Sequence, residues 1–354
     1  METMTMPTYH NVHASFKLNG FHLDKEDLCR VAYSFIKEGE DFEKPVGHFL
    51  LDWFDDLPYV EMTTSGTTGK PKTLRIDKQA MVNSALATGD FFDLQPGNRV
   101  MHCLPVKYIA GKMMLVRAFV LGLDTDFVEP SSKPFAQNNN QSYDFVAMVP
   151  LQAQHSLESL KRVKKMIIGG VGISKSLEKE LKKLPTEVYE TYGMTETITH
   201  IAAKKIGEKA FTVLPNVTLS YDDNNCLVIH APRISDEIIL TNDLVKLVNE
   251  NQFLFLGRFD NVVNSGGIKL IPEQIEDKLS GLIPSRYFVG GAPDEDLGEK
   301  LVLLIEGEKS ADLNFDLLDK YEKPKETIYV PKFRETETGK VMRKETLKEA
   351  LKNK

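Results

Sequence analysis

Residues 63–72 read Thr63-Thr64-Ser65-Gly66-Thr67-Thr68-Gly69-Lys70-Pro71-Lys72. Glycine lets backbone N–H groups approach an anion closely, the hydroxyls add donors, and Lys70 and Lys72 bring positive charge. This is the composition of a loop that wraps a polyphosphate, with Thr64, Ser65, Gly66, Thr67, Thr68, Gly69, Lys70 and Lys72 as candidate ligands. It is not a Walker A loop: Gly66 and Gly69 enclose only two residues, and Pro71 follows the lysine where Ser or Thr would stand. The plainer alternative is a polar surface turn. A strand predicted over 59–63 leads into the loop, so the loop belongs to a strand-and-helix fold.

Upstream, Asp24 is placed to cap a helix over 24–39, where Leu28, Val31, Ala32, Phe35 and Ile36 recur at helical spacing until Gly39. A second short helix is expected over 45–54. Downstream, short apolar strands at 99–104, 126–128, 145–149 and 165–168 alternate with segments of helical period. A polar connection covers 131–142. From about 205 to 257 the pattern turns to hairpins, with turn chemistry at Asp222-Asp223-Asn224-Asn225. Beyond Arg258 come a helix over 272–279, strands at 287–290 and 301–306, and a lysine-rich terminal helix. The expected fold class is α/β: a large N-terminal domain with mostly parallel sheets flanked by helices plus a small β-rich part, then a small mobile α+β C-terminal domain.

The 354 residues suffice for two domains, and 42% hydrophobic with 27% charged residues is ordinary for a globular chain. A formal net charge of −7 gives no basis for attraction to nucleic acid or to a membrane surface, so an anionic substrate has to be held by a local cluster. Cys29, Cys103 and Cys226 have no metal-ligand spacing and read as reduced thiols, which suits a cytoplasmic location. The N-terminal residues carry no basic-then-apolar leader pattern.

Three further segments follow the loop in order: Tyr189-Glu190-Thr191-Tyr192-Gly193-Met194-Thr195-Glu196; residues 257–276, from Gly257-Arg258-Phe259-Asp260 through Ser265-Gly266-Gly267 to Glu276; and Thr338-Gly339-Lys340-Val341-Met342-Arg343. Together with the loop they resemble the AMP-forming acyl- and aryl-CoA synthetase family over most of the chain. The resemblance implies an adenylation domain over 1–259 that binds ATP and an acid, a mobile lid domain over 260–354, and a hinge at Asp260. It implies ATP and Mg2+, with coenzyme A as co-substrate. Tyr192 then stacks on adenine beside Gly193, Thr195 contacts phosphate, and Glu196 is both a catalytic residue and the metal ligand. Gly170 lies beside adenine and the acyl group, Asp243 receives the ribose hydroxyls, and Arg258 adds a second ribose or phosphate contact. Lys340 stabilises charge developing at the α-phosphate, and Gly266 and Gly267 frame the thiol tunnel. Asn242 departs from the family, which usually has glycine there.

The acid is a small-molecule carboxylic acid. The family segment that usually holds an aromatic–histidine pair reads Lys107-Tyr108 here, leaving Tyr108 as a candidate substrate residue. Lys112 and Arg117 follow on a predicted helix among Met113, Met114, Leu115 and Val116, and a guanidinium there suits a second carboxylate. A surface salt bridge is the alternative for Arg117. The pattern is most similar to a shortened form of the o-succinylbenzoate-CoA ligase branch. Another acyl- or aryl-CoA ligase, or a transferase loading a carrier protein, shares the same motifs. Neither nucleic acid nor membrane is an expected partner, and a homo-oligomer is left open.

Overall fold

The computed structural model of the protein describes residues 6–64, 72–136, 140–309, 313–336 and 339–352. In chain order these form β1 (Lys17–Leu18), β2 (Phe21–His22), α1 (Lys25–Glu38), α2 (Lys44–Phe54), β3 (Tyr59–Thr64), β4 (Lys72–Asp77), α3 (Lys78–Phe92), β5 (Arg99–His102), α4 (Ile109–Leu121), β6 (Asp124–Phe127) and β7 (Tyr143–Met148). Then come α5 (Pro150–Gln154), α6 (Leu157–Leu160), β8 (Val163–Ile168), α7 (Lys175–Leu181), β9 (Glu187–Gly193), β10 (His200–Lys205) and β11 (Phe211–Val213). The remainder is β12 (Thr218–Tyr221), β13 (Cys226–His230), β14 (Ile239–Asn249), β15 (Gln252–Arg258), β16 (Val263–Ser265), β17 (Ile268–Leu270), α8 (Pro272–Leu279), β18 (Tyr287–Asp294), β19 (Gly298–Glu306), β20 (Glu326–Val330) and α9 (Arg343–Lys352).

The chain divides into two compact units. The first holds the chain up to Thr64, Thr73–Thr218 and Ile229–Ile239. Its sheet runs β11-β10-β9-β8-β7-β5-β6-β1-β2. The pairs from β9 through β8, β7, β5 and β6 to β1 are parallel. Strands buried on both faces need continuous apolar runs, and Phe145, Val146, Ala147 and Met148 of β7 are all buried. Trp53, Phe49 and Phe119 pack together in the same core. The helix predicted from Asp24 is present, with a capping box: Asp27 N donates to Asp24 Oδ1 at 2.9 Å.

The strand leading into the 63–72 loop does not join the main sheet. β3 and β4 form a separate two-stranded sheet, and the loop's Ser65, Gly66, Thr67, Thr68, Gly69 and Lys70 lie outside the described residues. The side chains alternate: Val60, Met62 and Ile76 are buried, whereas Glu61 and Arg75 face out and pair at 3.1 Å.

The second unit holds Leu219–Val228 and the chain from Leu240 onward. Strands β12, β13, β14 and β15 are neighbours in that order. The predicted turn closes β12 onto β13: Asp222 Oδ1 accepts from Asn224 N and Cys226 N, each at 2.8 Å, and Asn225 has φ +60°. A second sheet runs β17-β16-β19-β18, with β20 parallel to β19. Its core includes Val263, Ile275, Val289, Leu301 and Leu303. No helix among the described residues is long and apolar enough to cross a membrane.

Candidate active site

In the first unit, β9 ends in Tyr192-Gly193, and a single 3-10 turn over Thr195–Thr197 carries Thr195 and Glu196 before β10 begins. A Cβ at Gly193 would lie 2.3 Å from Thr199 O and 2.6 Å from His200 Cα, so only glycine lets the two strands close here. Ile198, a β-branched residue, is held at φ +65° where the turn ends, a conformation that stores strain. Glu196 is exposed and makes no ion pair among the described residues. The Tyr192 ring is half-buried, 5.8 Å from that of Phe211. Gly170 follows β8 with φ +93°, and a Cβ at its neighbour Gly169 would meet Thr191 Oγ1 at 2.5 Å.

No group of three or more His, Cys, Asp or Glu is gathered among the described residues. Glu196 nevertheless fits Mg2+, which typically takes one or two carboxylates together with substrate phosphates and water.

Helix α4 follows Tyr108, which stands at its N-cap with Lys107 Nζ 5.4 Å from the centre of its ring. The chain turns back tightly before it: a Cβ at Gly111 would be 2.3 Å from Pro105 O. Lys112 and Arg117 are five residues apart, so at about 100° per residue they leave the helix in different directions. Lys112 Nζ lies 4.5 Å from the centre of the Phe49 ring, and burial lowers its pKa against the opposing charge of Asp52.

Arg117 is only 1% exposed, which rules out the surface salt bridge. Its Nε donates to Thr88 Oγ1 at 3.3 Å and its Nη2 to Thr199 Oγ1 at 3.4 Å, with His200 Nδ1 at 3.5 Å from Nη2. Among the described residues no carboxylate pairs with it. Burial pulls its pKa down to about 9, still above neutrality, so the guanidinium remains a cation. Thr88, Thr199 and His200 were not singled out in the sequence. Thr199 and His200 lie three and four residues beyond the 189–196 segment, the one sequence signal near them.

In the second unit, Asp243 stands opposite Arg258 in the β14–β15 register, with Oδ1 3.4 Å from Nη1. Asp243 N also donates to Thr241 Oγ1 at 3.1 Å. Asn242 is not among the residues with positive φ, so an ordinary side chain fits where the family usually has glycine. Arg258 Nε donates to Asp260 Oδ1 at 3.2 Å; burial, the largest single influence, raises the Asp260 pKa, but the Arg258 hydrogen bond and charge, a backbone hydrogen bond and the Lys344 charge together lower it more. Gly266 and Gly267, at φ +59° and +82°, make the two-residue turn between β16 and β17, both in the positive region a type I′ hairpin requires.

Lys340 lies on a short hairpin in which Glu335 bridges Val341. Its N–H donates to Thr336 Oγ1 at 3.1 Å, its carbonyl accepts from Thr336 N at 2.9 Å, and Gly339 at φ +77° makes the bend. The side chain is exposed and makes no ion pair among the described residues.

Residues 45–229 match the family model described as AMP-binding enzyme. The chain belongs to the AMP-binding enzyme family. It is 23% identical over 323 residues to the 2-succinylbenzoate–CoA ligase of Lactococcus lactis, covering 83% of this chain and 72% of that protein. Among solved structures it resembles an AMP-forming acyl-CoA synthetase/AMP-acid ligase II-like protein from Dyadobacter fermentans, at 32% identity and a TM-score of 0.62, covering 91% of this chain and 98% of that one. It also resembles the O-succinylbenzoate coenzyme A synthetase of Bacillus subtilis solved with ATP and a magnesium ion, at 19% identity and a TM-score of 0.71, covering 81% of this chain and 69% of that one.

Proposed function

We propose that the chain is an acid–thiol ligase of the AMP-forming kind, converting 2-succinylbenzoate, ATP and coenzyme A to the acyl-CoA, AMP and pyrophosphate, in the cytoplasm. The observation that carries the choice of acid is Arg117: a buried cation surrounded by neutral acceptors is costly until an anion joins it. A substrate with one carboxylate to activate and another to anchor supplies that anion. The names of the relatives in Lactococcus and Bacillus support the same acid.

In this reading the 63–72 loop holds the departing pyrophosphate, while Tyr192, Asp243 and Arg258 place the adenosine. Glu196 would hold the divalent ion, which when bound would neutralise phosphate charge. Lys340 offers an unspent ammonium to the α-phosphate during in-line attack by the substrate carboxylate. Residues 260–354 then swing about Asp260 and exchange Lys340 for the Gly266-Gly267 turn, so that a thiol attacks the acyl-adenylate and expels AMP.

The test is ATP–pyrophosphate exchange across a panel of carboxylic acids, followed by addition of coenzyme A to the best one. Exchange that depends on 2-succinylbenzoate and yields its thioester is the expected result. Exchange with another acid alone would overturn the choice of substrate, and exchange with none would overturn the ligase.

A further inference from the structure

Three residues beyond Lys340, Arg343 opens α9 and points its guanidinium at Glu276 of α8. The two make a bidentate pair, Nη1 to Oε1 and Nη2 to Oε2, each at 2.7 Å. Glu276 Oε1 also accepts from Val289 N at 2.8 Å, which ties the pair to the sheet. The arginine lies 5.5 Å from the centre of the Phe288 ring. The Glu276 side chain is 15% exposed and that of Arg343 28%.

The same helix reaches toward the hinge. Asn261, next to Asp260, donates from Nδ2 to Glu273 Oε1 at 2.6 Å, and Arg343 Nη1 lies 3.9 Å from that oxygen. Burial, helped by the neighbouring Glu273 charge, raises the Glu276 pKa by more than the Arg343 charge and the hydrogen bonds from Arg343 and Val289 lower it. The surroundings therefore disfavour the charged carboxylate even with Arg343 beside it, so the pair contributes little as a stabiliser. What it supplies is geometry, because a planar fork on a carboxylate fixes both distance and direction.

We propose that Glu276 and Arg343 are positioning residues for adenylation: their bidentate pair fixes the second arm of the Lys340 hairpin to α8, so that the ammonium and the hinge segment move as one piece. The other arm has separate anchors. Phe333 N donates to Glu306 Oε1 at 2.8 Å, and Arg334 pairs with Glu349 at 2.7 Å. The Arg343 arm is tied through its side chain to the helix that also binds the hinge neighbour. The inference rests on the proposed role of Lys340 and extends it to residues that touch no substrate.

Two half-reactions test it: acid-dependent ATP–pyrophosphate exchange, and thioester formation from a supplied acyl-adenylate. Glu276→Gln and Arg343→Gln should each lower exchange at least tenfold through kcat, with KM for ATP within twofold and thioester formation within twofold of wild type. Arg343→Lys, which keeps charge but not the fork, should fall between. The double variant Glu276→Gln/Arg343→Gln should lose no more than the worse single one. Amide hydrogen exchange over 339–342 should quicken in these variants while β18 and β19 stay protected. Should Glu276→Gln fail to fold, Glu276→Asp, with the carboxylate withdrawn by one methylene, carries the same comparison. Unchanged exchange, or equal loss of both half-reactions in a folded protein, would overturn the positioning role. Wild-type protein that exchanges with no acid, or Lys340→Ala that retains full exchange, would instead overturn the reading beneath it.

Discussion

Arg117 Nη2 faces His200 Nδ1 across 3.5 Å, and since a guanidinium can only donate, that nitrogen must be the acceptor. The ring proton then sits on Nε2 and points to Thr88 Oγ1 at 3.3 Å, while the Thr88 hydroxyl donates to Ser84 O at 2.9 Å. Burial first, and the Arg117 charge second, hold the His200 pKa well below its usual value. The histidine is a neutral partner that orients the cation and adds no charge of its own.

Replacing Arg117 with Leu should weaken 2-succinylbenzoate by about 2–5 kcal/mol, the cost of leaving one member of a desolvated charge pair alone. A benzoate lacking the second carboxylate should lose far less, as measured by calorimetry on both acids. The His200 pKa should rise in an imidazole NMR titration, because a repelling charge is gone, yet stay below normal because burial remains. Equal losses for the two acids would make Arg117 structural.

Glu196→Gln should raise the Mg2+ concentration needed for half-maximal exchange at least tenfold, since an amide oxygen is a weaker ligand for a hard cation. A superimposable Mg2+ titration would remove Glu196 from the metal site.

Asp260→Pro should leave acid-dependent exchange within about threefold and stop thioester formation, because proline fixes the φ angle that a hinge has to change. Asp260→Ala removes the same pairing with Arg258 and leaves φ free, so it should preserve both steps. Normal thioester turnover in the proline variant would refute the hinge.

His102 is fully buried, with Nε2 2.9 Å from Gly111 O, and burial lowers its pKa from 6.5 to about 4. The unfolded chain binds this proton more readily than the folded one. The resulting stability is complete above pH 6.5 and is lost as pH falls toward 4, by roughly 3 kcal/mol in all. Urea titrations between pH 4 and 7 should show that slope in wild type and a shallower one in His102→Gln; parallel slopes would exclude His102 as its source.

The sequence made the parallel core legible because its strands are continuous apolar runs separated by helical periods. It hid β1, β2 and β4: the first two are two residues long, and Lys72–Asp77 reads as polar because one face meets solvent. Asp243 and Arg258 could each be named from local motif context, but their pairing depends on the β14–β15 register. Thr88 and His200, 112 positions apart, meet only through tertiary packing. Glu276 and Arg343 stood inside quoted motifs and still carried no role, since a pair 67 residues apart has no local signature.

Gly193 stands opposite His200 in the β9–β10 ladder, with no space for even a methyl group between the strands. A side chain there would displace the neighbouring Tyr192 and the facing His200 together. Under the proposed function these are the adenine contact and the neutral partner of Arg117, so that function would hold Gly193 fixed and leave variation to side chains such as Lys112, Thr88 or Thr199.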